Sequence, residues 1–145
     1  MTNVSTFLWF ESHAVEAAGL YCSIFKDAKI LSSNPMSASF ALGEQRYVAF
    51  NGGPHFKLTA AVSIFIEVDS QAEVDRLWHA FIGSGGTESR CGWLVDKFGL
   101  SWQICPKQLT EGLSDKDPAA AKRVRDAMMT MQKIDIAALE SARRG

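Results

Sequence analysis

The residues with the clearest chemical potential lie on a predicted hairpin between Cys91 and Cys105. In its second strand Gln103 and Cys105 alternate with apolar side chains, and successive side chains of a strand point to opposite faces. Gln103 and Cys105 are therefore expected to share one face. An amide can donate and accept hydrogen bonds, and a thiol can act as a nucleophile once it is deprotonated. The hairpin predicts a partly polar face, and the function depends on what that face contacts.

Two carboxylates are further candidates for chemistry. Glu67 is predicted to point inward and would be the acid or base of an enzyme, although a carboxylate at a strand end is more often solvated. Asp96 stands three residues before Gly99 between apolar runs, which is typical of a tight turn, so we interpret it as a turn-forming residue. No histidine stands where it would obviously pair with Cys105. The sequence assigns no catalytic residue.

Composition restricts the class of protein. The chain has 145 residues, a net charge of −1 and 47% hydrophobic residues, which predicts one globular domain with a substantial core. No basic cluster precedes the last few residues, which argues against nucleic-acid binding, and no apolar run is long enough to span a membrane. The segment MTNVSTFLWFES has no basic n-region, so we expect no secretory signal. Three cysteines without CxxC spacing favour reduced thiols, so we predict a cytoplasmic protein.

Two similar sets of elements are predicted along the chain. The first set comprises a strand at 6–10, a helix at 13–25 capped by Ser12, and strands at 29–33, 38–42 and 46–51. The second set comprises a strand at 61–68, a helix at 70–82 that begins with a capping box, and two or three strands. Two of these are at 93–95 and 100–104, and the optional third is a short strand near 87–89. The repeated order of elements indicates an internal duplication.

This duplication predicts an α+β fold of paired βαβββ modules with C-terminal helices. Module one is expected at about 1–54, module two at about 60–106, and a helical extension at 107–145. Each module is a sheet with one helix, and two such sheets can curl around a shared cavity. In the extension, Met128 and Met131 form an apolar stripe that can pack on its own domain or on a partner. Strand edges that a second copy can cover also favour a homodimer, which we predict.

Several segments carry a resemblance to a known family. They are FLWFES, AVEAAGLYCSIF, YVAFNGGPHFKL, FIEVDSQAEVDRLWHAF, CGWLVDKFGLSWQICP and KIDIAALE, which together span nearly the whole chain. The combination of NGGP with GWL-x-D-x-FG-x-x-WQI resembles the PhnB-like family, often labelled 3-demethylubiquinone-9 3-methyltransferase-like. That family lies in the vicinal oxygen chelate superfamily, with glyoxalase I and extradiol dioxygenases as relatives. The resemblance implies paired βαβββ modules, usually in a homodimer.

The resemblance also identifies where a metal would be held. Metal-dependent members of the superfamily use His and Glu side chains from four strands. The corresponding positions here are Thr6, Asn51 (or Ala49), Ser63 and Gln103. These groups are neutral and poor ligands for a tightly held cation, so we expect neither a metal nor another cofactor. The glycines from Gly83 to Gly86 follow a helix and fit a helix end better than an S-adenosylmethionine site.

We predict a small-molecule site in the cavity between the two modules. The predicted ligand-binding residues are Thr6, Leu8, Phe10, Tyr47, Asn51, Ser63, Phe65, Glu67, Trp93 and Gln103. Mostly aromatic side chains with a few polar groups are typical of a ligand site. The alternative is a filled core in which the polar groups bond one another or water. An enzyme of the superfamily (a lyase, a dioxygenase or the labelled methyltransferase) and a homodimeric interaction protein are the other functions left open.

Overall fold

The computed structural model describes residues 1–145 of the chain. The chain divides into two compact units, Met1–Leu58 and Thr59–Gly145, and the C-terminal helices belong to the second. Each unit contains one four-stranded sheet with both parallel and antiparallel neighbours. None of the helices has the length and apolar character of a membrane span.

The first unit is a βαβββ module. Its elements are β1 (Thr6–Phe10), α1 (Ala14–Ile24), β2 (Ala28–Asn34), β3 (Ser37–Leu42) and β4 (Gln45–Asn51). The strands lie in the order β1-β4-β3-β2, and β1 runs parallel to β4, whereas the other neighbours are antiparallel. Strand β1 has its predicted bounds, and the other elements of this unit begin or end within one residue of prediction.

Helix α1 covers one face of this sheet. Three buried alanines on one stripe allow it to approach the strands closely. The Tyr21 ring contacts Phe40, with ring centroids 5.8 Å apart, and Phe40 stacks on Tyr47 at 5.1 Å. Tyr21 and Phe40 are almost completely buried, and full burial of a side chain of this size contributes about 1.5–3 kcal/mol. These rings identify the helix-covered face of the first sheet.

The N-terminus of α1 is capped by a residue far away in the sequence. The predicted Ser12 cap is wrong, because the residue that precedes the helix is His13, whose side chain makes no capping hydrogen bond. Instead, Oδ1 of Asn51 accepts a hydrogen bond of 2.8 Å from the backbone N–H of Ala14. Since the first N–H groups of a helix have no partner within the helix, this bond ties α1 to the end of β4.

The second unit repeats the module and adds three helices. Its elements are β5 (Ser63–Val68), α2 (Gln71–Gly83), β6 (Thr87–Glu88), β7 (Trp93–Val95), β8 (Ser101–Pro106), α3 (Lys107–Leu113), α4 (Pro118–Met128) and α5 (Ile136–Arg144). The strand order β5-β8-β7-β6, with β5 parallel to β8, reproduces the topology of the first unit. The predicted α+β fold of paired βαβββ modules with C-terminal helices is confirmed.

Helix α2 starts and ends as its sequence predicts. The Ser70 hydroxyl accepts a hydrogen bond from the backbone N–H of Glu73 at 3.2 Å, as in a capping box. The Phe81 ring packs against Trp102 of β8, with ring centroids 4.7 Å apart. At the C-terminus the Gly86 N–H donates to the Phe81 carbonyl at 3.0 Å, and Gly85 has a φ of +107°. The glycine cluster therefore closes a helix, as glycines commonly do.

Asp96 shapes the turn between β7 and β8. Its Oδ1 accepts hydrogen bonds from the backbone N–H groups of Phe98 and Leu100, at 2.8 and 3.0 Å. Its Oδ2 accepts from the indole N–H of Trp102 at 2.9 Å. Gly99, with a φ of +94°, takes the left-handed conformation that the turn requires. The interpretation of Asp96 as a turn-forming residue is confirmed.

The C-terminal helices pack onto the second unit through one buried cluster. The cluster consists of Cys105, Leu109, Val124, Ile134 and Leu139, with Ala127, Met128 and Met131 packed against it. The Gln71 side chain at the start of α2 donates to the Ile134 carbonyl at 2.9 Å and accepts from the Ile136 N–H at 2.8 Å. Met128 and Met131 thus contribute to the core of their own unit, and the homodimer stays a prediction.

Candidate functional site

Five of the predicted site residues share one face of the second sheet. Gln103 lies beside Phe65 on one neighbouring strand and beside Trp93 on the other, and Ser63 and Glu67 flank Phe65 on β5. The opposite face carries Ile64, Leu94 and Trp102, which are buried on the α2 side. We call the side that points away from α2, made of Ser63, Phe65, Glu67, Trp93 and Gln103, the second-unit face.

A hydrogen bond links the two neutral polar groups of the second-unit face. Nε2 of Gln103 donates to Oγ of Ser63 at 2.9 Å, which fixes the orientation of the amide. Oε1 of Gln103 keeps its acceptor capacity, and the Ser63 hydroxyl keeps its own proton. The Phe65 ring beside this pair is 51% exposed. The face thus combines an oriented hydrogen-bonding pair with apolar contact area.

Glu67 on this face and Cys105, its neighbour in the strand register, are the reactive groups here. Glu67 is exposed, and its Oε2 accepts a long hydrogen bond of 3.5 Å from the Thr110 hydroxyl. Cys105 lies beside Glu67 on β8 and is buried. Burial, together with the negative charge of Glu67, raises the pKa of the Cys105 thiol to about 11. Cys105 is therefore protonated at neutral pH, which disfavours a role as a thiolate nucleophile.

The other five predicted residues lie on the side of the first sheet that α1 covers. Their predicted orientation, toward a cavity, is therefore wrong. Phe40 on the α1 side pairs with Tyr47, and the strand register places Thr6, Leu8, Phe10 and Asn51 on that same side. Leu8, Phe10 and Tyr47 are buried there, and Thr6 is exposed at the start of its strand. Asn51 holds the helix N-terminus as described above. Apart from Thr6, these residues therefore belong to the interior of the first unit or hold its helix.

The side of the first sheet that points away from α1 carries an aromatic cluster. Phe7 contacts Phe50 with ring centroids 5.4 Å apart, and Trp9 contacts Phe50 and Phe56 at 5.6 and 5.1 Å. We call this side, made of Phe7, Trp9, Phe50, Val48 and Arg46 with the aligned residues of β2 and β3, the first-unit face. The sequence interpretation missed these aromatics, although the uninterrupted apolar run of β1 signals that both of its faces are apolar.

The donor atoms on the two sheets do not fit a tightly bound divalent cation. Thr6 and Asn51 lie on the helix-covered side of the first sheet, and Asn51 already bonds Ala14. Ser63 and Gln103 bond each other and offer only a hydroxyl and an amide. Nowhere do three or more His, Cys, Asp or Glu side chains cluster as a metal site requires. We derive no metal-dependent step for this chain.

The chain matches the family model of 3-demethylubiquinone-9 3-methyltransferase over residues 2–105, so α3, α4 and α5 lie beyond the matched region. A PhnB protein from Bacillus cereus, described by the same methyltransferase name, is 27% identical with a TM-score of 0.64, over 72% of this chain and 99% of that one. Protein PA1353 from Pseudomonas aeruginosa is 22% identical with a TM-score of 0.59, over 73% and 98% of the two chains.

A more distant relative shares the fold. It is a glyoxalase/bleomycin resistance protein/dioxygenase family enzyme from Burkholderia phytofirmans, which is 13% identical with a TM-score of 0.59, over 70% of this chain and 95% of that chain. A comparison with curated proteins found no match. The fold of the two modules is therefore that of the glyoxalase-like proteins.

Proposed function

The chain belongs to the PhnB-like family, which the 3-demethylubiquinone-9 3-methyltransferase model describes, and we propose that it binds a small, largely apolar or aromatic organic molecule without a catalytic metal. The second-unit face is the principal contact surface in this proposal. Phe65 and Trp93 supply contact area, and Ser63 and Gln103 supply directional hydrogen bonds. The protein acts as a binding protein of the glyoxalase superfamily rather than as a metal-dependent enzyme.

The observation that carries this proposal is the Ser63–Gln103 pair beside an exposed aromatic ring. Phe65 leaves about half of its surface in water, so roughly half of the 1.5–3 kcal/mol available from its burial is not realised in the free chain. A ligand that covers the ring recovers part of that free energy. The oriented amide next to it favours ligands with a hydrogen-bonding group, and this combination is common in small-molecule sites.

The methyltransferase name of the family is less well supported by the residues of this chain. The glycine turn that a nucleotide-type cofactor would need ends helix α2 instead. The buried thiol of Cys105 is held in its protonated form, and the three histidines of the chain are exposed. These features support binding without turnover more than they support methyl transfer.

A thermal-shift screen of metabolites and aromatic drugs tests the proposal. A ligand at about 100 times its dissociation constant stabilises the protein by roughly 2.7 kcal/mol, which is readily measured. We expect Gln103→Leu to abolish or reduce the shift, because the variant loses the amide but keeps its apolar volume. Gln45→Leu, which changes an exposed glutamine on β4, is the matched control and should bind normally.

The fate of each screening hit separates binding from catalysis. A compound recovered intact after prolonged incubation supports a binding protein, whereas a consumed compound identifies an enzyme. Elemental analysis of untagged protein completes the test, with well under one metal ion per chain expected. Hits that all bind Gln103→Leu as tightly as the wild type would place the site elsewhere and refute the proposal.

A further inference from the structure

The first-unit face has an organised distribution of polar and aromatic groups. The strand register aligns its residues in three rows across the sheet. The first row is Lys29, Ala41 and Arg46, the second is Ser32, Ser39, Val48 and Phe7, and the third is Asn34, Ser37, Phe50 and Trp9. Basic side chains occupy the first row, hydroxyl and apolar groups the second, and most of the aromatic surface lies in the second and third. The face therefore changes from cationic to aromatic along the strands.

The charge on this face has only one sign. The four strands of the first unit contain no Asp or Glu, and their two charged residues, Lys29 and Arg46, both lie on the first-unit face. The unit as a whole is balanced, with four Lys or Arg residues and four Asp or Glu residues among positions 1–58. All four carboxylates lie outside the strands. The positive character is thus a local property of this face.

Neither basic side chain is neutralised within the chain. Lys29 and Arg46 are exposed and take part in none of the ion pairs of the structure. They flank Ala41 on neighbouring strands, and a strand spacing of about 4.8 Å places their Cα atoms roughly 10 Å apart. An anion bound between these two exposed cations is attracted by both of them.

The aromatic residues lie within reach of these cations. Phe7 pairs with Val48, which is two residues, or about 7 Å, from Arg46 along β4. Phe7 is 59% exposed and Phe56, which contacts Trp9, is also largely exposed. A flat ring placed against Phe7 can therefore direct a charged substituent to the guanidinium of Arg46, which suits planar carboxylates.

We propose that the first-unit face binds planar aromatic molecules that carry an anionic group, such as an aromatic carboxylate. The ring stacks against Phe7 and the neighbouring aromatics, and the anion pairs with Arg46, assisted by Lys29. The inference rests on the proposed function in one respect, that this family member binds small organic molecules, and it adds the chemical class of the ligand. It uses residues of the first unit alone.

Titrations with naphthoate and with its uncharged amide, naphthamide, test the inference. Calorimetry on the wild type should give about twofold to fivefold tighter binding of naphthoate, the gain expected from a favourable exposed ion pair. Arg46→Gln should reduce this difference, with the remainder due to Lys29, and should leave naphthamide binding unchanged. Added salt should weaken naphthoate binding only. Phe7→Ala should weaken both compounds by about threefold to tenfold, because it removes the aromatic contact.

Arg90→Gln is the matched control, since Arg90 is an exposed arginine of the second unit. It should leave both affinities unchanged, and circular dichroism should confirm that every variant is folded. Equal affinities of the wild type for the two compounds would overturn the inference, as would an Arg46→Gln variant that prefers naphthoate as strongly as the wild type does. Either result leaves the screen with Gln103→Leu unaffected, so the proposed function can survive the failure of this inference.

Discussion

Replacing Asp96 by asparagine tests how the hairpin that carries the second-unit face is held. Asparagine keeps one oxygen for the N–H groups of Phe98 and Leu100 but directs an NH2 group at the indole N–H of Trp102. Two donors then face each other in a site where Asp96 is only 5% exposed. A buried polar group without its partner costs about 1–3 kcal/mol, so we expect Asp96→Asn to lower the free energy of unfolding by about 2 kcal/mol.

Alanine at the same position removes both acceptor oxygens and with them all three hydrogen bonds, and we expect a loss of about 4 kcal/mol. Urea denaturation followed by circular dichroism measures both values. Asp117→Asn is the matched control, because Asp117 caps α4 through Ala119 on the surface and asparagine caps helices equally well. The control should change the free energy by less than about 0.5 kcal/mol. If Asp96→Asn costs no more than this control, the account of the hairpin is wrong.

Three further predictions address the first unit, the buried thiol and self-association. Gly52→Ala would place a Cβ 2.1 Å from Cε2 of Trp9, so we expect the free energy of unfolding to fall by about 1–3 kcal/mol. The Trp9 signal in NMR spectra should also change. Gly19→Ala is the control, because Gly19 has open space around it, and it should stabilise α1 by up to about 1 kcal/mol. The pKa of the Cys105 thiol is 9.0 ordinarily and about 11 in the folded chain. The unfolded state therefore loses this proton first, and the free energy of unfolding should fall as pH rises from about 9 to 11. Urea titrations at several pH values should show a smaller fall for Cys105→Ala. Sedimentation should show a homodimer, because β2 is an edge strand that a second copy can cover. Its side chains Ile30 and Leu31 are 43% and 42% exposed, respectively. A monomer at every concentration would contradict this prediction.

The element order and most boundaries could be predicted because local signals were unambiguous. Ser70 followed by Glu73 marks the start of α2, and Asp96 with Gly99 marks the β7–β8 turn. Both signals depend on contacts within a few residues. The cap of α1 was missed because its donor group is satisfied by Asn51, which is 37 residues away. No local pattern encodes a contact of that range, so the sequence favours the adjacent Ser12 instead.

The faces of the strands were predictable only where the two sides differ in polarity. In β5 the residues Ser63 and Glu67 alternate with Ile64 and Ile66, so the buried side could be identified. In β1 both sets of alternating residues are apolar, and Leu8 with Phe10 could not be distinguished from Phe7 with Trp9. Alternation showed which residues share a face, but the position of α1 decided which face is covered.

The most direct test of the central claim is to map where a bound compound lies. An NMR titration of isotope-labelled protein with the tightest-binding compound of the screen should shift the amide signals of Ser63, Phe65 and Gln103 and the indole N–H of Trp93. The same titration of Gln103→Leu should show these shifts only at much higher concentration. Shifts that are confined to other residues, or that are identical in the variant, would contradict ligand binding at the second-unit face.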